Sequence, residues 1–155
     1  MSRLFGPMRQ VGIVVRDIEK AMRHWVEVCG IGPWFYAERL PLDGYRYKGK
    51  SYDIPNLSIA LANSGEVQLE LIQQRCRTPS LYWDFIDAGH EGMQHWSSWP
   101  ENYHEIRERA LRSGQISLSQ MRLLLRHYEV SFRARLARTW STVIWGPNAN
   151  QNHSR

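Results

Sequence analysis

Arg9-Gln10-Val11-Gly12-Ile13-Val14-Val15-Arg16-Asp17 decides how the rest of the chain is read. Val11, Ile13 and Val15 alternate with Gln10, Gly12 and Val14, the two-residue period of a strand with one strongly apolar face. Asp17 stands where a helix N-cap is needed, and Ile18, Met22, Trp25 and Val26 share one face of the helix that follows, which ends at Gly30. The same pattern returns at Gly92-Met93-Gln94-His95-Trp96. His95 precedes Asn102 and the helical run Tyr103 to Arg112 just as Gln10 precedes Asp17 and Ile18 to Val28, an offset of 85 residues at both points. A strand-helix unit repeated at constant offset, each copy too small to bury its sheet alone, predicts two equivalent modules.

Between these copies, Trp34-Phe35-Tyr36, Tyr45 to Tyr47, Leu57 to Ala62 and Val67 to Gln73 are strand candidates, with Lys48 to Asn56 rich in turn residues and Asn63-Ser64-Gly65 as a hairpin signal. The first module spans residues 8–74. A linker over 75–92 contains the helical segment Leu81 to Ile86, and the second module starts over 93–114, its helix opened by Asn102 and Glu105 in a variant of the capping box. After Gly114 the pattern fails. Residues 115–155 hold six Arg, no Lys and one acid, Glu129, whereas residues 1–114 hold 14 basic and 14 acidic residues. All of the +5 net charge is therefore in the C-terminal stretch, and residues 1–114 give no electrostatic reason to expect nucleic acid or an anionic membrane.

No apolar run approaches the roughly 20 residues of a spanning helix, and Met1 to Pro7 lacks the apolar core of a secretory signal, so a cytoplasmic location is expected. Cys29 and Cys76 are isolated and form no Cys-x-x-Cys pair, which fits reduced thiols rather than a zinc knuckle or a disulfide framework.

Alternation also sorts the site residues. In Val67 to Gln74, Val67, Leu69, Leu71 and Gln73 share one face, and Gln68, Glu70, Ile72 and Gln74 the other. With a helix over the apolar face, the polar face looks into a cavity, where duplication brings Gln10, Glu70 and His95 together. An amide oxygen, a carboxylate and an imidazole suit an octahedral divalent ion such as Mn, Fe, Co, Ni, Mg or Zn. On residue types alone, simple solvation or hydrogen bonding of these three is the alternative. Trp34, Tyr36, Trp96 and Trp99 are candidate walls of a substrate pocket, with core packing as the other reading. Gln68 and Gln74 are candidates to orient a substrate.

The segments around Gln10, Glu70 and His95 resemble the vicinal oxygen chelate superfamily of glyoxalases, methylmalonyl-CoA epimerases, extradiol dioxygenases and bleomycin-resistance proteins. The resemblance runs over about residues 8–114 and is nearest the glyoxalase and epimerase branch. It implies an α+β fold of paired βαβββ modules forming a cupped mixed sheet, a divalent metal held by Gln10, Glu70 and His95, and a homodimer. It also implies a lyase or isomerase acting on a small carbonyl, 2-oxo-acid or thioester substrate through a metal-stabilised enolate; among the residues placed here, the candidates for the base are Glu70, taken as the catalytic residue, and a metal-bound hydroxide. The alternative within the same superfamily is a small-molecule binding protein of the bleomycin-resistance type, without chemistry. One departure stands out: the family's fourth ligand is a Glu on the last strand, and here Thr142-Val143-Ile144 is followed by Trp145. The second module is therefore expected to be incomplete or divergent after about residue 114, through a shifted reading frame or a replaced segment.

Overall fold

The computed structural model describes residues 5–42 and 44–112. Strand β1 (Gln10–Val14) leads into helix α1 (Ile18–Glu27), followed by β2 (Phe35–Ala37), a hairpin of β3 (Tyr45–Tyr47) and β4 (Lys50–Tyr52), and the long pair β5 (Leu57–Ser64) and β6 (Val67–Gln74). Helix α2 (Leu81–Asp87), strand β7 (Gly92–Ser97) and helix α3 (Tyr103–Arg112) complete the described elements. The architecture is α+β, with one mixed sheet in the order β2-β5-β6-β1-β7, β1 running parallel to β6 and antiparallel to β7.

Local chemistry accounts for the element ends. Asp17 has an extended backbone and accepts a hydrogen bond from the Lys20 amide, satisfying a donor that the first turn of α1 leaves open. Ser80 does the same for α2, accepting from the Tyr82 and Trp83 amides. β5 and β6 turn through Gly65 and Glu66, with Gly65 at φ 58, so the hairpin lies one residue beyond the Asn63-Ser64-Gly65 signal. The stretch 48–56 is not only turn: Lys48 (φ 47) and Gly49 (φ 83) form a two-residue loop that makes β4 pair with β3 outside the main sheet. β7 begins at Gly92, three residues before His95.

Each face of the sheet has its own cover. Leu69 and Leu71 of β6, Ala60 and Ala62 of β5, and Val11 and Ile13 of β1 pack with Ile18, Met22 and Trp25 of α1. On the opposite face Val14, Leu57 and Ile72 pack with Tyr82, Leu81 and Phe85 of α2, which covers one end of the cup. The β3–β4 hairpin is tied to α2 where Tyr47 Oη and Lys48 Nζ both donate to Asp84 Oδ2, at 2.7 and 2.8 Å.

Those bonds, the Lys48 donor first, hold the Asp84 carboxyl below its ordinary pKa. A depressed folded-state value means that the stabilisation is present above the unfolded-state pKa of about 4 and is lost as the pH falls through the lower folded-state value. Asp84→Asn is expected to flatten the acid limb of a thermal-stability profile below about pH 4 while changing little at neutrality, because the pair is solvent-exposed. Parallel acid limbs for the two proteins would refute the assignment.

The repeat is visible in the β1–β7 register. Gln10 pairs with Ser97, Val11 with Trp96 and Gly12 with His95. Tyr103 and Arg112, which bound α3, lie 85 residues beyond Ile18 and Glu27, which bound α1. With that offset Val11 pairs with its own equivalent, so a twofold passes through the Val11–Trp96 pair and relates the two strands. The chain's remaining expectations, the last strands of the second module and the Thr142 to Trp145 segment, lie outside the described residues.

Candidate functional site

The face of the sheet opposite α1 carries three rows of side chains, fixed by register. The first is Asn63, Gln68, Gln10 and Ser97 on β5, β6, β1 and β7. It is a hydrogen-bonded polar ladder: Gln10 Nε2 donates to Gln68 Oε1 at 2.9 Å, and Ser97 Oγ donates to Gln10 Oε1 at 3.2 Å. The second row crosses all five strands as Phe35, Leu61, Glu70, Gly12 and His95. The third is apolar, with Ala37, Ile59, Ile72 and Val14, and its inner part lies under α2.

In the middle row Glu70 is 2% exposed, and its Oε2 has no hydrogen-bond partner. His95 Nε2 stands 3.6 Å from that oxygen. The strand between them is bridged because position 12 has no side chain. A Cβ on Gly12 would lie 2.1 Å from His95 Cε1, 2.4 Å from Nε2 and 2.5 Å from Nδ1, so the imidazole occupies the space that any other residue's side chain would fill. Gln10, 7% exposed, is on the same face in the adjoining polar row, its amide oxygen accepting from Ser97 Oγ. Tyr82 reaches the same region from α2. Burial raises its phenol well above the usual range, and the Glu70 charge raises it further.

An orphaned buried carboxylate oxygen facing an imidazole nitrogen, with the Gln10 amide on the same face in the adjoining row, is a donor set that fits a divalent cation. No third His, Cys, Asp or Glu joins Glu70 and His95 among the described residues. The three residues expected as ligands thus share one face of neighbouring strands, and the amide of Gln10 is what a search for charged ligands alone passes over.

The expected substrate residues divide differently. Gln68 is on the cup face, tied to Gln10. Gln74 is used up in the fold: its Nε2 donates to the Cys76 and Thr78 carbonyls, and its Oε1 accepts from Ser80 Oγ, which builds the turn into α2. Trp34 is fully buried in the α1-side core, with Nε1 donating to the Ile31 carbonyl, and so does not wall the cup. Tyr36 also faces the α1 side, donating to Glu19 Oε1 at 3.0 Å and accepting from Arg75. The β2 aromatic on the cup side is Phe35, 52% exposed at the end of the middle row. Trp96 pairs with Val11 on the α1 side of the sheet, and Trp99 lies beyond the end of β7, exposed.

Comparison with known proteins agrees with this architecture. The family described as Glyoxalase/Bleomycin resistance protein/Dioxygenase superfamily matches residues 9–123. Among solved structures, the chain is similar to methylmalonyl-CoA epimerase from Mycobacterium tuberculosis, with a TM-score of 0.54 and 17% identity over 74% of this chain and 68% of that one. It is also similar to a hypothetical protein from Bacillus halodurans C-125, with a TM-score of 0.52 and 18% identity over 70% of this chain and 68% of that one. At these identities the likeness concerns the fold. No curated protein matches the sequence. No helix among the described residues is long and apolar enough to cross a membrane.

Proposed function

This chain belongs to the Glyoxalase/Bleomycin resistance protein/Dioxygenase superfamily, and on that premise we propose that it is a metal-dependent lyase or isomerase that moves a proton at the carbon next to a carbonyl. The substrate is a small carbonyl, 2-oxo-acid or thioester compound. The observation that carries the reading is the buried, unpartnered Glu70 Oε2 facing His95 Nε2 at 3.6 Å. A carboxylate oxygen withdrawn from water without a partner is costly, and it is kept where a ligand supplies the missing positive charge.

In this reading Gln10, Glu70 and His95 would hold a divalent ion, which would supply Lewis acidity toward a substrate carbonyl oxygen when bound. Glu70 is the proton acceptor, being the one carboxylate of the middle row. Gln68, held by Gln10, orients the substrate from the polar ladder. The inner apolar residues beneath α2 and the buried Leu61 keep water from the carboxylate. A thioester falls in the class because the M. tuberculosis structure of similar fold is an epimerase of one. A homodimer is part of the proposal, supported by the family to which the chain belongs.

The second reading is small-molecule sequestration without chemistry, favoured by a sequence in which Thr142-Val143-Ile144 is followed by Trp145 rather than Glu. Metal analysis of freshly purified protein, followed by incubation of 2-oxo acids, hemithioacetals and acyl thioesters in D2O, separates the two. About one ion per chain and deuterium entering the carbon next to the carbonyl are expected. Tight binding of a compound by metal-free protein, with no exchange in any of them, would overturn the enzyme reading.

A further inference from the structure

Resting on the metal reading above, the geometry points to Gln94 as a positioning residue that sets the tautomer of His95 and so determines whether Nε2 can serve as a ligand. The β1–β7 pairing slips between Gly12 and Ile13: Gly12 pairs with His95, Ile13 pairs with Met93, and Gln94 is left as the extra residue of a bulge. In a regular strand neighbouring side chains point to opposite faces. At this bulge they meet instead, with His95 Nδ1 2.6 Å from Gln94 Oε1.

An amide oxygen only accepts hydrogen bonds, so the Nδ1 at that distance carries the proton. A neutral imidazole has one ring proton, and Nε2 therefore carries the lone pair. That lone pair faces Glu70 Oε2, itself an acceptor without a hydrogen-bond partner. Two acceptors facing each other at 3.6 Å leave a place for a cation. Without the Gln94 carbonyl the favourable tautomer reverses: the proton goes to Nε2 and is donated to Glu70, and the protein closes the site on itself. Gln94 acts by withholding that proton. It needs no contact with substrate or ion to do so.

The test uses the full-length chain labelled with 15N-histidine and stripped of metal by a chelator, at about pH 8, above the ordinary imidazole pKa of about 6.5. Long-range 1H–15N correlations report the tautomer, and Co2+ titration by calorimetry reports affinity. Wild type is expected to show the Nδ1–H form for His95. Gln94→Leu is expected to switch it to Nε2–H and to weaken Co2+ about 10- to 100-fold, the usual cost of losing a residue that orients a ligand. Gln94→Glu keeps an acceptor at the same place and is expected to restore the wild-type tautomer. An Nε2–H wild type refutes the proposal whether or not the variants fold, and so does a folded Gln94→Leu with an unchanged tautomer. If the tautomers follow Gln94 as stated but no protein takes up Co2+, the positioning role stands and the metal reading fails.

Discussion

Glu70→Gln is expected to abolish stoichiometric uptake of divalent metal and, in the metal-free state, to make the protein more stable than wild type. The two effects have one cause. Glu70 is 2% exposed, and one of its oxygens has no hydrogen-bond partner, so the folded state withdraws that atom from water without return. Leaving a buried polar group unsatisfied costs on the order of 1–3 kcal/mol, and more when the group is charged. A neutral amide of the same shape lowers that cost, and a gain of about 1–3 kcal/mol is expected. Urea unfolding of both proteins in chelator checks it, with the midpoint rising and the slope unchanged. Adding metal should then stabilise wild type by mass action and leave the variant where it was. A variant that keeps its metal, or loses stability in chelator, would remove Glu70 from the centre of the site.

Gly12→Ala is expected to be as damaging to the metal site as loss of Glu70, although residue 12 has no ligand atom of its own. The added methyl would lie 2.1–2.5 Å from three ring atoms of His95, well inside contact distance. The β1 backbone is held by β6 on one side and β7 on the other, with Val11 and Ile13 packed on the α1-side core, so the ring must move. Moving it breaks the Gln94 contact and withdraws Nε2 from Glu70. Overpacking of this kind costs about 1–3 kcal/mol in addition to the lost metal. The clash is specific to one partner, which gives a double-mutant cycle: in a His95→Ala background the same alanine should cost little, so that the two changes are strongly non-additive. Additive stabilities would mean that the ring does not lie over Gly12.

Where sequence patterns carry a strict period, they locate the architecture. β1, α1 and β6 are legible because Val11, Ile13 and Val15 alternate, Asp17 caps, and Leu69 and Leu71 alternate with Gln68 and Glu70, so each side chain's face follows from parity. β2 is not legible in this way. Trp34, Phe35 and Tyr36 are all aromatic, parity has nothing to distinguish, and the outward Phe35 cannot be told from the core Trp34. The β3–β4 turn is hidden because lysine rarely takes the positive φ that Lys48 adopts. Gln74 appears available in a strand pattern, and only the chain's return through Thr78 and Ser80 commits its amide. The roles of Gly12 and Gln94 depend on a slip between two strands 80 residues apart, and such a slip exists only once those strands are paired.

The twofold through Val11 and Trp96 has an evolutionary corollary. Were the two halves identical, every ligand and every gap at the axis would occur in duplicate, and any substitution would be copied across it. Joined in one polypeptide, equivalent positions can be inherited and altered independently. Gln10 and His95 are such a pair, an amide matched with an imidazole, and Gly12 and Ser97 are another, one residue vacated beneath the ring and the other keeping a hydroxyl that bonds Gln10. The offset of 85 residues thus corresponds to a division of labour between former equals. A symmetric ancestor of two separate halves could not have possessed this particular site, because making room for one ring would have meant a glycine at both positions and no hydroxyl to hold the amide.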